Sequence, residues 1–242
     1  MKRTERHHLK DNVLATRILH VREVMEAHKR EVTAAVIAIA VVGTIAIGYF
    51  VWRERTHTRA HALLAAAFIV RDARIAPPEA PGAPAAAAPT YPDERARAEA
   101  ALGKFQAAAD AYPSTDAGIS ARYQQAALLM ALGRPVEAAV AYQDVIARGG
   151  DGIYAQTARL GLAEAQGRAG QFDQAIDGFK ALAQRKDGTL PIDGILMQLG
   201  RMYRDAGKRE DAQQTFNRLV EEYPDSPYTA DARRELESLK KT

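Results

Sequence analysis

Residues 199–224 read LGRMYRDAGKREDAQQTFNRLVEEYP, and the fold follows from this stretch. Leu199, Gly200 and Tyr203 lie at helical spacing ahead of Gly207. Ala212, Phe216 and Leu219 lie at helical spacing ahead of Pro224. A glycine suits the left-handed residue that ends a helix, and a proline prevents the next helix from continuing. The stretch therefore reads as two helices joined near Gly207 and stopped at Pro224.

The same pattern recurs upstream at a fixed interval. Phe105, Tyr142, Phe179 and Phe216 are each 37 residues apart. Ala101, Ala138, Ala175 and Ala212 keep that period four residues earlier, and Ala108, Val145, Leu182 and Leu219 keep it three residues later. Gly133, Gly170 and Gly207 repeat it, as do Ala126, Ala163 and Gly200. Pro113 and Pro224, each preceded by tyrosine, stand three periods apart. A period of this length marks a stack of helical hairpins. Within each hairpin the small residue admits a close helix–helix approach, and the aromatic fills space toward the next unit. Neither helix can bury its apolar face alone, so stacking supplies the core. The expected fold is all-α, a repeat solenoid over 93–242.

At the near end the first unit is incomplete. Its second helix is expected at Asp93–Tyr112, but its first would fall in 76–92, APPEAPGAPAAAAPTYP, where six prolines forbid a continuous helix. Residues 76–92 are read as a loop, and a membrane-proximal helix at 53–75, carrying Leu64, Phe68 and Ile69, is expected to supply the partner. At the far end Tyr228–Lys240 reads as a polar capping helix with Ala232, Leu236 and Leu239 inward.

Val32–Trp52 reads VTAAVIAIAVVGTIAIGYFVW, without a charge. At 1.5 Å per residue it spans roughly 31 Å, enough for a bilayer core. A cleaved signal peptide should have a shorter apolar run close behind a short basic start. Here 31 residues precede it, so 32–52 is read as a transmembrane helix. Residues 1–31 hold eight Lys/Arg and residues 53–76 hold five, a bias that favours a cytoplasmic N-terminus and an extracytoplasmic repeat domain. Segment 1–31 has helical apolar spacing at Leu14, Ile18, Val21 and Met25, and is expected to be an amphipathic helix.

The last unit resembles the tetratricopeptide repeat. Leu199-Gly200, Tyr203, Gly207, Ala212, Phe216, Leu219 and Pro224 match that signature almost position for position. The units at 115–150 and 152–187 are looser. They lack the signature tryptophan and have Leu129 and Gln166 where Tyr203 stands. The tail YPDSPYTADAR (223–233) echoes YPSTDAGISAR (112–122), junctions that look like the bacterial envelope subgroup of these repeats. A short N-terminal region, one span and such a domain together resemble inner-membrane proteins of the YfgM type, a family that includes the ancillary subunit of the SecYEG translocon. The resemblance implies a bacterial inner-membrane, single-pass, periplasm-facing scaffold. Its expected protein partners are translocon subunits, periplasmic chaperones or exported chains. Outer-membrane assembly lipoproteins share the repeats but carry a lipidated cysteine, and this sequence has no cysteine. The alternative is a membrane-bound regulator. In that reading the cytoplasmic N-terminal helix engages a signalling or transcription factor while the repeats sense envelope state.

No catalytic, cofactor-binding or metal-binding set emerges. There is no Gly-rich phosphate loop, HExxH or nucleophile elbow. All six histidines precede the repeats. His57 and His61 have metal-compatible i,i+4 spacing but lack a third ligand, and read as solvated. The net charge of +3 divides into +5 over residues 1–92 (13 Lys/Arg, 8 Asp/Glu) and −2 over 93–242 (20 against 22). A nearly neutral repeat domain argues against nucleic acid. Aligning the units places Tyr123 and Met130, then Leu160 and Glu164, then Met197, Arg201 and Arg204 on the expected partner groove. The positions that hold Lys and Asn in chaperone-tail clamps are filled by Tyr123, Leu160, Met197, Ala127, Glu164 and Arg201, so that clamp is not built here.

Overall fold

The computed structural model describes residues 28–76, 89–185 and 190–241. The expected N-terminal amphipathic helix and most of the proline-rich loop lie outside the described residues. The elements, in order, are α1 (Lys29–Arg71), β1 (Arg74–Ile75), β2 (Thr90–Tyr91), α2 (Glu94–Ala111), α3 (Asp116–Ala131), α4 (Pro135–Gly149), α5 (Ile153–Arg168), α6 (Phe172–Ala183), α7 (Ile192–Asp205), α8 (Arg209–Glu222) and α9 (Thr229–Lys241). Contacts divide the chain into Met1–Arg55 and Thr56–Thr242.

In the first unit, the Lys29–Arg55 part of α1 carries the apolar run. Among the described residues it holds the only stretch long and apolar enough to cross a membrane, and none of that stretch is covered by the chain. Ile39, Ile45, Ile47 and Phe50 are all exposed. The hydroxyls of Thr33 and Thr44 donate to the carbonyls of Lys29 and Ala40 at 2.7 and 2.8 Å. Such back-bonding hides a polar group that an apolar surrounding would penalise.

The second unit is built from α3–α4, α5–α6 and α7–α8, three hairpins with one turn design. Gly133, Gly170 and Gly207 have φ of 74°, 76° and 73°. The amide of each glycine donates three residues back, to Met130, Gly167 and Arg204, at 3.0–3.2 Å. The next amide reaches five back, to Leu129, Gln166 and Tyr203, at 2.8 Å. This is the Schellman closure, which satisfies carbonyls that a helix end leaves open and requires a left-handed residue. The constant turn lets the 37-residue period absorb differences elsewhere. α4 has 15 residues and a short junction at 150–152, while α6 has 12 residues and a long one at 184–191.

The core positions are those of the period. Ala101, Ala138, Ala175 and Ala212 are fully buried, as are Phe105, Phe179 and Phe216, with Tyr142 close behind. The small residue of the first helix sits against the aromatic of the second. A Cβ placed on Gly200 would lie 2.4 Å from Phe216 Cε1. Between units the approach is equally tight, since a Cβ on Gly161 would lie 2.5 Å from Tyr142 Cζ.

The near end of the stack is closed by the Thr56–Arg71 part of α1. Ala67 and Val70 are buried with Phe105, Ala108 and Ala121, and the Phe68 ring meets Phe105 edge-on at 5.2 Å. The helix stops at Arg71, four residues short of the expected 75. Arg74–Ile75 instead pairs in parallel with Thr90–Tyr91, joining the two ends of the proline-rich loop. Ala76, which precedes Pro77, is pushed toward extended backbone and so continues the strand. The Arg97 guanidinium donates to the Ala73 carbonyl at 3.3 Å, just beyond the end of the helix. At the other end α9 buries Ala232 and Leu239 in the last cluster.

Two glycine substitutions separate turn from contact. Gly207→Ala has nothing within 4 Å of its new Cβ and only the backbone to strain, at about 1 kcal/mol. Gly200→Ala drives a methyl into a buried ring and costs about 1–3 kcal/mol. Thermal unfolding of the full chain in micelles should rank Gly200→Ala as the larger loss, and an equal or reversed ranking would contradict the close approach.

Candidate functional site

The expected groove residues fall into two groups. Tyr123, Met130, Leu160 and Glu164 are half-buried, on α3 and α5. Tyr123 stands over two further rings, 5.8 Å from Tyr142 and 5.6 Å from Tyr154. The Ser120 hydroxyl donates to the Tyr154 hydroxyl at 2.9 Å, fixing that ring. Met130 packs against the same middle cluster, and Leu160 against the last one. Burial pushes the Glu164 carboxyl up, with Arg168 opposing. Burial also pushes the Tyr142 phenol well above its ordinary value, and the charges of Tyr123 and Glu164 add to this. The middle of the stack therefore presents a tyrosine cluster beside a carboxyl that is reluctant to ionise.

The α7 group is covered. Met197 is 1% exposed and belongs to the last core cluster, so it is a packing residue and not a groove contact. Arg201 reaches Glu235 at 3.5 Å and Asp231 at 4.0 Å. Arg204 pairs with Glu235 at 2.5 Å and Asp205 at 2.8 Å. Both arginines are thus engaged by α9 or by α7 itself. Reading the units by period alone could not see this, because the capping helix stands where a fourth hairpin would begin.

Tyr154 and Ser120 were not among the expected residues. Tyr154 lies 31 residues after Tyr123, out of register with the period, so superposing units passes over it. A count of aromatics around residue 123, free of the repeat, would have found it. Among the described residues no group of three or more His, Asp or Glu gathers as a metal would require.

Comparison with known families and structures accords with this geometry. A Tetratricopeptide repeat family (TPR_6) matches residues 157–185, and the Outer membrane lipoprotein family YfiO matches residues 176–242. The domain is a stack of tetratricopeptide-like repeats. Similar solved structures include two of a chain from Podosopora anserina described as a kinesin light chain with nearly identical repeats. One, a single-substitution variant, is 16% identical with a TM-score of 0.53. The other is 15% identical with a TM-score of 0.52, and each match covers 60% of this chain and 78% of that chain. At such identity the likeness is one of fold. Curated proteins give no match. The YfiO match runs from within α6 through the last hairpin and α9, the part of the chain with the fullest repeat signature.

The Glu164 environment sets a pH dependence. Its folded value is raised above the ordinary 4.5, so ionisation opposes folding. Stability is full below the ordinary value and declines as pH rises through the folded one. Glu164→Gln should therefore raise the melting temperature at pH 8. The difference from the parent should close as pH falls below about 4.5. A gain that is equal at both pH values would rule out desolvation as the cause.

Proposed function

We propose that this chain is a membrane-anchored scaffold whose repeats bind protein partners outside the cytoplasm, and that it assists protein export or envelope protein folding at the Sec translocon. The observation that carries the reading is the joining of two features in one chain: stacked tetratricopeptide-like hairpins, a fold that presents surfaces and no chemistry, and one uncovered apolar helix of bilayer length. The excess of Lys/Arg before that helix supports a cytoplasmic N-terminus. The bacterial envelope character of the 112–122 and 223–233 junctions and the YfiO match over 176–242 support an envelope setting.

Tyr123, half-buried over a ring cluster, is the contact to probe, because Arg201 is already ion-paired to α9. A topology reporter fused after Thr242 should be active on the extracytoplasmic side. A photo-crosslinker at position 123 should then capture translocon subunits, chaperones of that compartment or exported chains. Recovery of soluble cytoplasmic partners alone would overturn the proposal. Deletion of residues 1–28 should leave capture intact. Its loss would instead favour a regulator acting through the N-terminal segment.

A further inference from the structure

Arg122, Arg159 and Leu196 occupy one position of the repeat, 37 residues apart. In the first hairpin every nitrogen of Arg122 has an acceptor. Its Nη2 donates to Asp110 at 2.5 Å, its Nε to Asp144 at 3.0 Å and its Nη1 to Gln125 at 2.7 Å. In the third hairpin the position is Leu196, fully buried, and the need for partners is gone.

The second hairpin follows neither course. Arg159 keeps the guanidinium, but all three of its partners' positions have become apolar: Asp110 is replaced by Ala147, Asp144 by Ala181 and Gln125 by Leu162. The result is visible in the structure. Arg159 Nη1 is buried with no hydrogen-bond partner among the described residues. Its Nη2 reaches only the Gly150 carbonyl, at 3.5 Å. A cleft of about 340 Å³ opens between α5 and α6 beside it, with Leu162, Ala163, Ala181 and Leu182 among its walls. A buried guanidinium nitrogen without an acceptor is costly, and the ligand that relieves it is a carboxylate, which accepts from a guanidinium in a two-pronged geometry.

We propose that this cleft binds an acidic side chain carried on an apolar segment of a partner protein, with Arg159 as its anchor. The preceding cleft shows the chemistry that fits, since an aspartate side chain from a neighbouring helix occupies the equivalent place there. The partner's carboxylate accepts from Nη1, the nitrogen that Gln125 serves on Arg122, and its flanking apolar residues lie on Leu162 and Leu182. The inference rests on the reading of the domain as a protein-binding scaffold, but it concerns residues other than Tyr123 and Glu164.

The test uses the full chain in nanodiscs and three fluorescein-labelled heptapeptides. The first is Ala-Leu-Ala-Glu-Ala-Leu-Ala-amide labelled at its N-terminus, the second carries Gln for Glu, and the third carries Gln with a free terminal carboxylate. Fluorescence anisotropy should show the Glu peptide binding about tenfold or more tightly than either other. Arg159→Gln should abolish the preference. Ala181→Asp, which rebuilds the carboxylate of the preceding cleft within the chain, should abolish it too while raising the melting temperature. Equal affinities for the Glu and Gln peptides would overturn the site. So would a preference that survives Ala181→Asp, or a free terminal carboxylate bound as well as the Glu side chain. No peptide preference alongside intact crosslinking from Tyr123 would sink this site and leave the scaffold standing. A clear preference with crosslinks confined to cytoplasmic proteins would sink the export role and leave the site standing.

Discussion

Every hairpin of the repeat domain depends on an exchange of volume between two helices. Where α8 carries Phe216, α7 carries Gly200, and no Cβ fits between them. The ring is fully buried, and the glycine lets it approach the opposite backbone. Large-to-small changes at such aromatic sites cost about 3–5 kcal/mol, so this contact outweighs any single hydrogen bond in the hairpin. The turn follows from the same constraint. Two helices this close must reverse within a few residues, and Gly133, Gly170 and Gly207 do so in the left-handed conformation with the helix-end carbonyls satisfied. The junctions between units carry no such demand, which is why their lengths vary while the glycine turns do not.

A stack of identical contacts must be ended by something different. At the near end Phe68 and Ala67 of α1 close over Phe105. At the far end the closure is partly polar. Arg201 and Arg204 meet Glu235 on α9, a carboxylate that is 17% exposed. Two guanidinium groups on one partly buried carboxylate fix the register of α9 more firmly than its apolar residues alone would. Surface pairs along the stack matter less. Lys208 reaches back to Asp173 at 2.7 Å and Arg134 to Glu99 at 3.7 Å, each spanning adjacent units at an offset of 35 residues. Pairs this exposed contribute little on their own.

The period was legible because buried contacts repeat only if their residues repeat. Phe105, Tyr142, Phe179 and Phe216 cannot drift without opening a cavity, so the hairpins and their small partners could be read from spacing alone. The ends of α9 were read to within a residue, because amphipathic spacing marks them, while α1 stops four residues before the expected end. The groove was less legible. Met197 has the spacing of a groove residue and the environment of a core residue, buried in the last cluster. Tyr154 joins Tyr123 from outside the register. Surface positions are free to drift, so what they do depends on neighbours that the period does not specify.

One position of the repeat shows how drift of this kind turns a structural site into an open one. Arg122 is stable because three acceptors surround it, and Leu196 because none is needed. Arg122 and Asp144 are partly covered and Asp110 is exposed, so this cluster carries only part of the cost of a buried one, and removing its acidic half leaves the guanidinium uncompensated. The second hairpin stands in that half-exchanged condition. Converting Arg159 to leucine would complete the exchange and relieve the cost, as the third hairpin already does. The half-buried guanidinium keeps one nitrogen, Nη1, without an acceptor, and that nitrogen is the group for which the proposed partner supplies a carboxylate.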